Sequence, residues 1–486
     1  MLMEELFDLS KFDSYREDNR REVKKANGGL PLTLWETYSA FANCRGGVII
    51  LGVKEEKDGS WSTTGLQNEA RLKKEFWDTL NNPKKVSANL LREKDVETFS
   101  YNGDLVMVIR VPAAPREMKP VYINDDIFSG SYRRNWEGDY HCTKLQVKTM
   151  IRDQADDTID MMVLDDMGLD SLNKESVKAY RNVFASLKPS HPFSRLDDEE
   201  FLRSIGAIAR SKENGDLRPT AAGLMMLGSE FDIVRQFPHY FLDYRRDLSQ
   251  NSRWDDRVQS SSGDWSGNVF DFYYLVYGKL KQALSVPFKI KEGTRIDDTP
   301  MHEAIREALA NCLVNADYYG SRGVVITLQS GKITFANPGY SRTGKEQMLK
   351  GGVSDPRNRG LMKMFNLIDI GERAGSGVPK IFNIWKDEGL KEPIIEEQFD
   401  PDRFILALPL ERRSGGKPTP GASHGKKTIQ KEAMIADYLR DNGLSTCAEI
   451  AAHIGLSQPR TRAILSGMGS QIDACGLNKS RAYRMK

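Results

Sequence analysis

The apolar positions mark out several separate cores. Residues 32–43, LTLWETYSAFAN, set Leu34, Trp35, Tyr38, Phe41 and Ala42 at helical spacing, which predicts a helix with one face on a core. Gly46 and Gly47 end that helix, and the VIILGV that follows is a short β-branched run suited to a buried strand. LVMVIRVP at 105–112 and GSYRRNW at 130–136 add two strand signals, so this region reads as α/β or α+β. Further on, HEAIREALANCLVNADYY at 302–319 places Ile305, Ala308, Leu309, Cys312, Leu313 and Ala316 on one helical face. VVITLQSGKITFANPGY predicts a hairpin ending in Asn-Pro-Gly, SDPRNRGLMKMF a basic helix start, ERAGSGVPKIF a helix opened by a Gly-Ser-Gly loop, and DRFILALPL a strand. Between 174 and 290, helical segments alternate with SQNSRWDDRVQSSSGDWSGN, which reads as an exposed loop.

Near the C-terminus a different pattern begins. Ala433 to Arg440 predicts a helix that buries Met434, Ile435, Tyr438 and Leu439. TCAEIAAHIGLSQPRTRAILSGM then buries Ala448, Ile450, Ala451, Ile454 and Leu456 and turns at Gly455. Ser457 caps a next helix whose exposed side carries Gln458, Arg460, Thr461 and Arg462. IDACGLNKSRAYRMK sets Lys479, Arg481 and Arg484 around a hairpin, so the whole reads as a helix-turn-helix with a basic wing.

At 486 residues the chain has room for two to four domains. The acidic, irregular run 153–172 suggests a boundary near 150, and ERRSGGKPTPGASHG at 411–425 lacks the apolar period to fold and reads as a linker. The expected organisation is a nucleic-acid-binding domain at 1–152, a mixed connecting region at 153–290, an ATPase-like domain at 291–410, the linker, and a winged helix at 426–486. No apolar run reaches the roughly 20 residues of a membrane span, and the start MLMEELFDLSKF lacks a secretory pattern, so the expected location is the cytoplasm. Five scattered cysteines form no CxxC pair and six histidines no HExxH, which leaves little basis for a disulfide framework or a structural zinc. Charge matters once it is divided: 411–486 hold 13 Lys and Arg against 6 Asp and Glu, a local +7, while the rest of the chain sums to −5. A basic tail on an acidic body suits phosphate binding, although a solvated basic face has the same composition.

The candidate chemistry sits in two places. In YREDNRREVKKA, Glu17 and Glu22 stand five residues apart among Arg20, Arg21, Lys24 and Lys25. Two carboxylates that meet a third can hold a divalent cation for phosphodiester cleavage, and the same spacing fits an exposed mixed-charge segment. On 302–319, Glu307 and Asn311 are four apart, a spacing that can orient a water and hold Mg²⁺ or simply face solvent. Gly375 and Gly377 open a helix, where backbone amides can meet a phosphate or a tight loop can need positive φ.

The N-terminal motifs EVKKA, ETYSAFANCRGGVIILGV and SGSYRRNWEGDY resemble the AlbA-type domain of Schlafen-like proteins and bacterial regulators over about residues 10–150. That resemblance implies nucleic-acid contact, with Arg133 and Arg134 as binding residues. In the nuclease branch of the family it implies an acid triad, here Glu17, Glu22 and Glu55, the last in a Lys54-Glu55-Glu56 run where the family more often has aspartate. EALANCLVNADYY, NPGY, DPRNRGL and GERAGSGVPKI, in that order, resemble the ATPase-like domain of the histidine-kinase and gyrase superfamily, in the form carried by RecG-helicase-like regulators. By that match Glu307 orients water, Asn311 is the Mg²⁺ ligand, and Gly339, Arg357, Asn358, Gly375 and Gly377 contact ATP. Two departures favour nucleotide binding over rapid hydrolysis: Asn337-Pro338-Gly339 replaces the Asp-x-Gly-x-Gly loop, and Asn315-Ala316-Asp317-Tyr318 replaces His-Arg-Asp-Tyr. No GxxxxGK[ST] loop occurs, so a helicase motor has no basis.

The expected fold is therefore multidomain α+β: an AlbA-like α/β domain, a GHKL-like α/β sandwich and a C-terminal winged helix. The expected function is that of a cytoplasmic, bacterial-type DNA-binding transcriptional regulator, a homodimer or higher homo-oligomer, with ATP and Mg²⁺ as ligands of its core. The alternatives are a Schlafen-like metal-dependent nuclease acting on RNA or DNA, in stress or antiviral defence, a weak ATPase, and a non-enzymatic oligomeric scaffold.

Overall fold

The computed structural model describes residues 6–155, 158–247, 254–284, 289–291, 294–296, 299–371, 375–399 and 402–413, and, nearer the C-terminus, 435, 436, 438–440, 442–454, 458, 461, 465, 472–475 and 482–485. It divides into two compact units, Met1–Ile381 with Ile394–Leu408, and Phe382–Pro393 with Pro409–Lys486.

The first unit begins with β1 (Arg21–Lys24), α1 (Leu34–Asn43), β2 (Gly47–Leu51), α2 (Glu69–Leu80), β3 (Val96–Tyr101) and β4 (Asp104–Val111). Four strands form a sheet in the order β1-β2-β4-β3, with β1 and β2 parallel. Both faces of that sheet are covered, which is why VIIL reads as an unbroken apolar run. Ile49 and Leu51 pack with Leu34, Tyr38 and Phe76 on one side, and Val48 and Ile50 pack with Phe12 and Trp61 on the other. The Gly-Gly signal has a steric cause. Gly46 sits at φ +72°, where a Cβ would lie 2.6 Å from the Val111 carbonyl, and a Cβ on Gly47 would lie 2.7 Å from the Phe41 ring. The hairpin β5 (Tyr132–Asn135) and β6 (Gly138–His141) packs on α1, and α3 (Lys144–Gln154) starts at a Thr143–Gln146 capping box.

Helices α4 (Lys174–Leu187), α5 (Asp198–Ile205) and α6 (Ala221–Leu227) lead to a second sheet. Its strands are β7 (Leu242–Asp247), β8 (Asp256–Gln259), β9 (Val324–Gln329), β10 (Lys332–Pro338), β11 (Ile394–Phe399) and β12 (Asp402–Pro409), interleaved with α7 (Val269–Ala283), α8 (Pro300–Val314), α9 (Arg359–Leu367) and α10 (Gly377–Asp387). The order is β8-β7-β9-β10-β12-β11, and β7 runs parallel to β9. Along β9, Val324, Ile326 and Leu328 are buried while Val325, Thr327 and Gln329 are half-buried, so the sheet has a covered face and a more accessible one. Two of the six strands come from residues 242–259.

The polar run expected to be a loop contains the edge strand β8. Val258 buries its side chain, Ser260 Oγ accepts from the Leu242 N–H at 3.1 Å, and Trp265 donates to the Gln259 carbonyl at 3.1 Å. An edge strand with one face toward solvent has few core positions, and here they are too few to give an apolar alternation.

In the second unit, β13 (Ser445–Thr446), α11 (Cys447–Ile454), β14 (Ile472–Cys475) and β15 (Ala482–Met485) form a helix and a three-stranded antiparallel sheet in the order β13-β15-β14. Ile435, Leu439, Ile450, Leu465 and Ile472 make its core. Two expectations are corrected here. Ala448 is exposed, because Cys447, Ile450 and Ala451 at i, i+3 and i+4 occupy the inward face, and Thr461, expected outside, is fully buried. Met434, Gly455, Leu456, Ser457, Arg460, Arg462, Lys479 and Arg481 lie outside the described residues.

Candidate nucleotide cleft and nucleic-acid surfaces

Helix α8 starts at Thr299, whose N–H donates to His302 Nδ1 at 3.1 Å, and has Pro300 in its first turn. One turn apart on it, Asn311 Nδ2 donates to Glu307 Oε1 at 3.0 Å. Above them runs the chain that opens α10. A Cβ on Gly377 would lie 2.0 Å from Glu307 Oε1, and Gly375, at φ +65°, would bring one to 2.4 Å from the Val353 carbonyl. At Gly375, with positive φ and a backbone neighbour, only glycine permits this approach, whereas at Gly377 a side chain would have to displace the end of Glu307.

These residues line a cleft of about 990 Å³, its open mouth included. Its lining combines apolar side chains, Ala308, Cys312, Phe335, Met348, Ile395 and Leu406, with polar ones, Glu307, Asn311, Arg342, Ser354 and Arg357. Burial pushes the Cys312 thiol up to about 12, so it lines the wall as a neutral group. The donor set fits a nucleotide: oxygen ligands on one rigid helix suit a hard cation, glycine backbone suits phosphate, and apolar lining side chains suit a flat ring. Asn337, at the position of the superfamily's aspartate, is buried, with Nδ2 directed at the Pro338 carbonyl at 3.2 Å and the Asn315 carbonyl at 3.4 Å.

Of the other expected ligand-contacting residues, Arg357 lines the cleft, whereas Asn358 and Gly339 are not among its lining residues. Arg357 is buried and donates to Asp153 Oδ2 at 2.6 Å and to the Tyr340 carbonyl at 3.1 Å. Asn358 donates to the Val314 and Ala316 carbonyls, both at 2.8 Å. Gly339, at φ +92°, leaves room for the Arg357 guanidinium, which a Cβ would approach to 3.1 Å.

At the N-terminal site, Glu17, Glu22 and Glu55 share one neighbourhood. The Glu17 carboxyl is pushed up to about 7 by burial first, then by the charge of Glu22, against a hydrogen bond from the Val23 N–H, with Glu55 adding further repulsion. Glu22 is held between Lys24 at 2.8 Å and Arg134 at 2.7 Å. Among the described residues no three Asp, Glu, His or Cys side chains are grouped to hold a metal ion. Arg134 also meets Asp139 at 3.0 Å, and Arg133 meets Asp402 at 2.6 Å; both arginines are buried. Among the described members of the basic set, Arg484 is the exposed one, 3.8 Å from Asp473.

Sequence reasoning missed a set of ion pairs that join distant segments of the first unit. Arg116 meets Asp355 at 2.9 Å, Arg152 meets Asp317, and Asp153 and Asp402 take Arg357 and Arg133. Partners up to 269 residues apart leave no periodic signal.

Residues 14–143 match the family model described as Schlafen, AlbA_2, and residues 321–408 match the one described as "Putative ATP-dependent DNA helicase recG C-terminal". The chain joins an AlbA_2-type module to a RecG-C-terminal-type module. Between them, residues 148–243 match a domain of unknown function, DUF8451. Among solved structures, the DIP2311 protein from Corynebacterium diphtheriae is similar at 15% identity over 96% of this chain and 95% of that one, with a TM-score of 0.40. The N-terminal domain of a "Putative ATP-dependent DNA Helicase RecG-related Protein" from Nitrosomonas europaea is 24% identical over 29% of this chain and 94% of that one, with a TM-score of 0.23. No curated protein matches the chain. The AlbA_2 and RecG-C-terminal modules together indicate a nucleic-acid-related function. No helix among the described residues is long and apolar enough to cross a membrane.

Proposed function

We propose that the protein is a cytoplasmic DNA-binding regulator whose central cleft senses a nucleotide. The observation that carries this reading is the Glu307–Asn311 pair lying directly under Gly377. Bound Mg²⁺ would neutralise phosphate charge at this point; Asn311 is the group that would hold it, with Glu307 beside it to orient water. With Mg²⁺ bound, the phosphates would lie by the Gly375–Gly377 backbone, and apolar lining side chains such as Phe335 and Leu406 would take the base. The Asn337 amide is directed at backbone carbonyls and Asp317 is paired to Arg152, an arrangement that favours occupancy over turnover. DNA contact falls to the basic C-terminal segment, where helix α11 and the β14–β15 hairpin support a winged-helix reading, and paired half-sites favour a homodimer.

Calorimetry with ATP and Mg²⁺ tests the cleft. Wild type should bind and melt at higher temperature, and Asn311→Ala should lose at least about tenfold in affinity, the scale of one charge-assisted contact. Absence of binding at millimolar nucleotide, or equal binding by Asn311→Ala, would remove this reading.

The raised Glu17 carboxyl, which feels the charges of Glu22 and Glu55, is the one observation that favours a second reading, a nuclease, although the three acids are not grouped to hold a metal ion in this arrangement. In it Glu17, pushed up to about 7, would be poised to move a proton at neutral pH.

A further inference from the structure

The strand β12 serves two faces of its sheet. Phe404 and Leu406 line the nucleotide cleft, while their neighbour Arg403 points to the opposite side, as alternation along a strand requires. There, at the N-terminal ends of β7, β9 and β12, a second cleft of about 1090 Å³ opens to solvent. Its floor forms where the turns before β7 and β9 touch, for a Cβ on Gly323 would lie 2.1 Å from the Phe241 carbonyl. Arg245, Arg322, Arg403 and His239 line it, and among the described residues none that lines it is acidic.

We propose that this second cleft is a phosphate-binding site in which the guanidinium groups of Arg245, Arg322 and Arg403 receive one phosphate group. The charge balance carries the argument. Arg403 is buried, yet among the described residues the one hydrogen bond of its side chain is a long 3.5 Å contact from Nη2 to the Ala336 carbonyl. Arg322 has no carboxylate partner among the described residues. Arg245 meets Asp243 at 2.6 Å, but that carboxylate also takes Arg257 at 2.9 Å, so one negative charge answers two arginines before Arg322 and Arg403 are considered. Burial, with repulsion from Arg322 and Arg245, holds the Arg403 guanidinium below its ordinary range despite the opposing effect of Cys312. A group of like charges at the rim of a sheet is unfavourable until an anion enters. Guanidinium forks match the oxygens of phosphate, and several converging forks suit a dianion better than a planar carboxylate. The cleft has room for more than an ion, so the phosphate can belong to a nucleic-acid backbone or to a small phosphate compound.

The site is independent of the nucleotide cleft, and the test separates the two. Thermal melting of the full chain with saturating pyrophosphate should show a rise of roughly 2 °C or more. Arg322→Glu, a change in an exposed turn, should weaken that response at least about tenfold in pyrophosphate concentration, whereas Asn311→Ala should keep it. A short single-stranded oligonucleotide then identifies the source. A shift that Arg322→Glu also removes assigns the site to backbone phosphate, and no such shift assigns it to a small phosphate compound; either result keeps the site. If pyrophosphate gives no rise, or an equal rise in wild type and Arg322→Glu, the proposal is overturned.

Discussion

Glu307 Oε1 lies where a side chain on Gly377 would have to be, 2.0 Å from the ideal Cβ position. The carboxylate and the glycine are thus fitted to each other across the cleft. Gly377→Ala must move Glu307, the less costly adjustment because its carboxylate is the end of a flexible side chain. The expected outcome is a modest stability loss of about 1–3 kcal/mol with at least about tenfold weaker ATP binding. A variant that melts lower but binds ATP like wild type would show that the Glu307 position is irrelevant to the ligand.

The buried pair Arg357–Asp153 supports the wall of the same cleft. Arg357→Met leaves the Asp153 carboxylate uncompensated inside the protein, so chemical denaturation should report a loss of about 3–5 kcal/mol. The double replacement Arg357→Met with Asp153→Leu should recover much of that loss. A single variant as stable as wild type would mean that water reaches Asp153.

Glu17 predicts a pH signature. Its carboxyl is raised from an ordinary 4.5 to about 7 in the folded chain by burial and then by Glu22. Between those values the unfolded chain releases its proton first, so the folded state binds more protons and loses stability as pH rises through the window. Glu17→Gln should flatten that decline by on the order of 1 kcal/mol, discounted for partial exposure. Identical slopes in wild type and variant between about pH 4.5 and 7 would refute the raised value.

The same acids decide the nuclease reading. Glu22 is already neutralised by Lys24 and Arg134, so we expect no cleavage of RNA or DNA with Mg²⁺ or Mn²⁺. Cleavage lost in Glu22→Gln at unchanged melting temperature would make the enzyme primary.

Removal of residues 426–486 should weaken DNA binding and flatten its salt dependence, since each lost phosphate contact lowers the slope by about 0.9. Arg460→Ala with Arg462→Ala should do part of the same. Unchanged affinity and slope would move DNA recognition to another part of the chain.

Local relationships were legible in the sequence. Helix α1, strand β2 and the Glu307–Asn311 pair depend on residues within a few positions of each other, and periodicity or an i, i+4 spacing exposes them. Arg133 and Arg134 illustrate what was not. Adjacent arginines in a polar run look like a phosphate-binding surface, yet their carboxylates, Asp402 and Glu22, stand 269 and 112 residues away and draw both side chains inward. Strand β8 escaped for a related reason, since pairing with β7, not apolar content, makes it a strand.

The bridges Arg116–Asp355, Arg133–Asp402, Arg152–Asp317 and Arg357–Asp153 also bear on descent. Arg116 and Arg133, within the AlbA_2 match, answer Asp355 and Asp402 within the RecG-C-terminal match, while Arg152 and Asp153, in the DUF8451 match, answer Asp317, which precedes the RecG-C-terminal match, and Arg357, which lies in it. A segment imported from another lineage by recombination would bring charges with no counterparts waiting, at positions that are buried or half-buried. These parts of the chain are therefore expected to have been inherited together, as one unit of exchange.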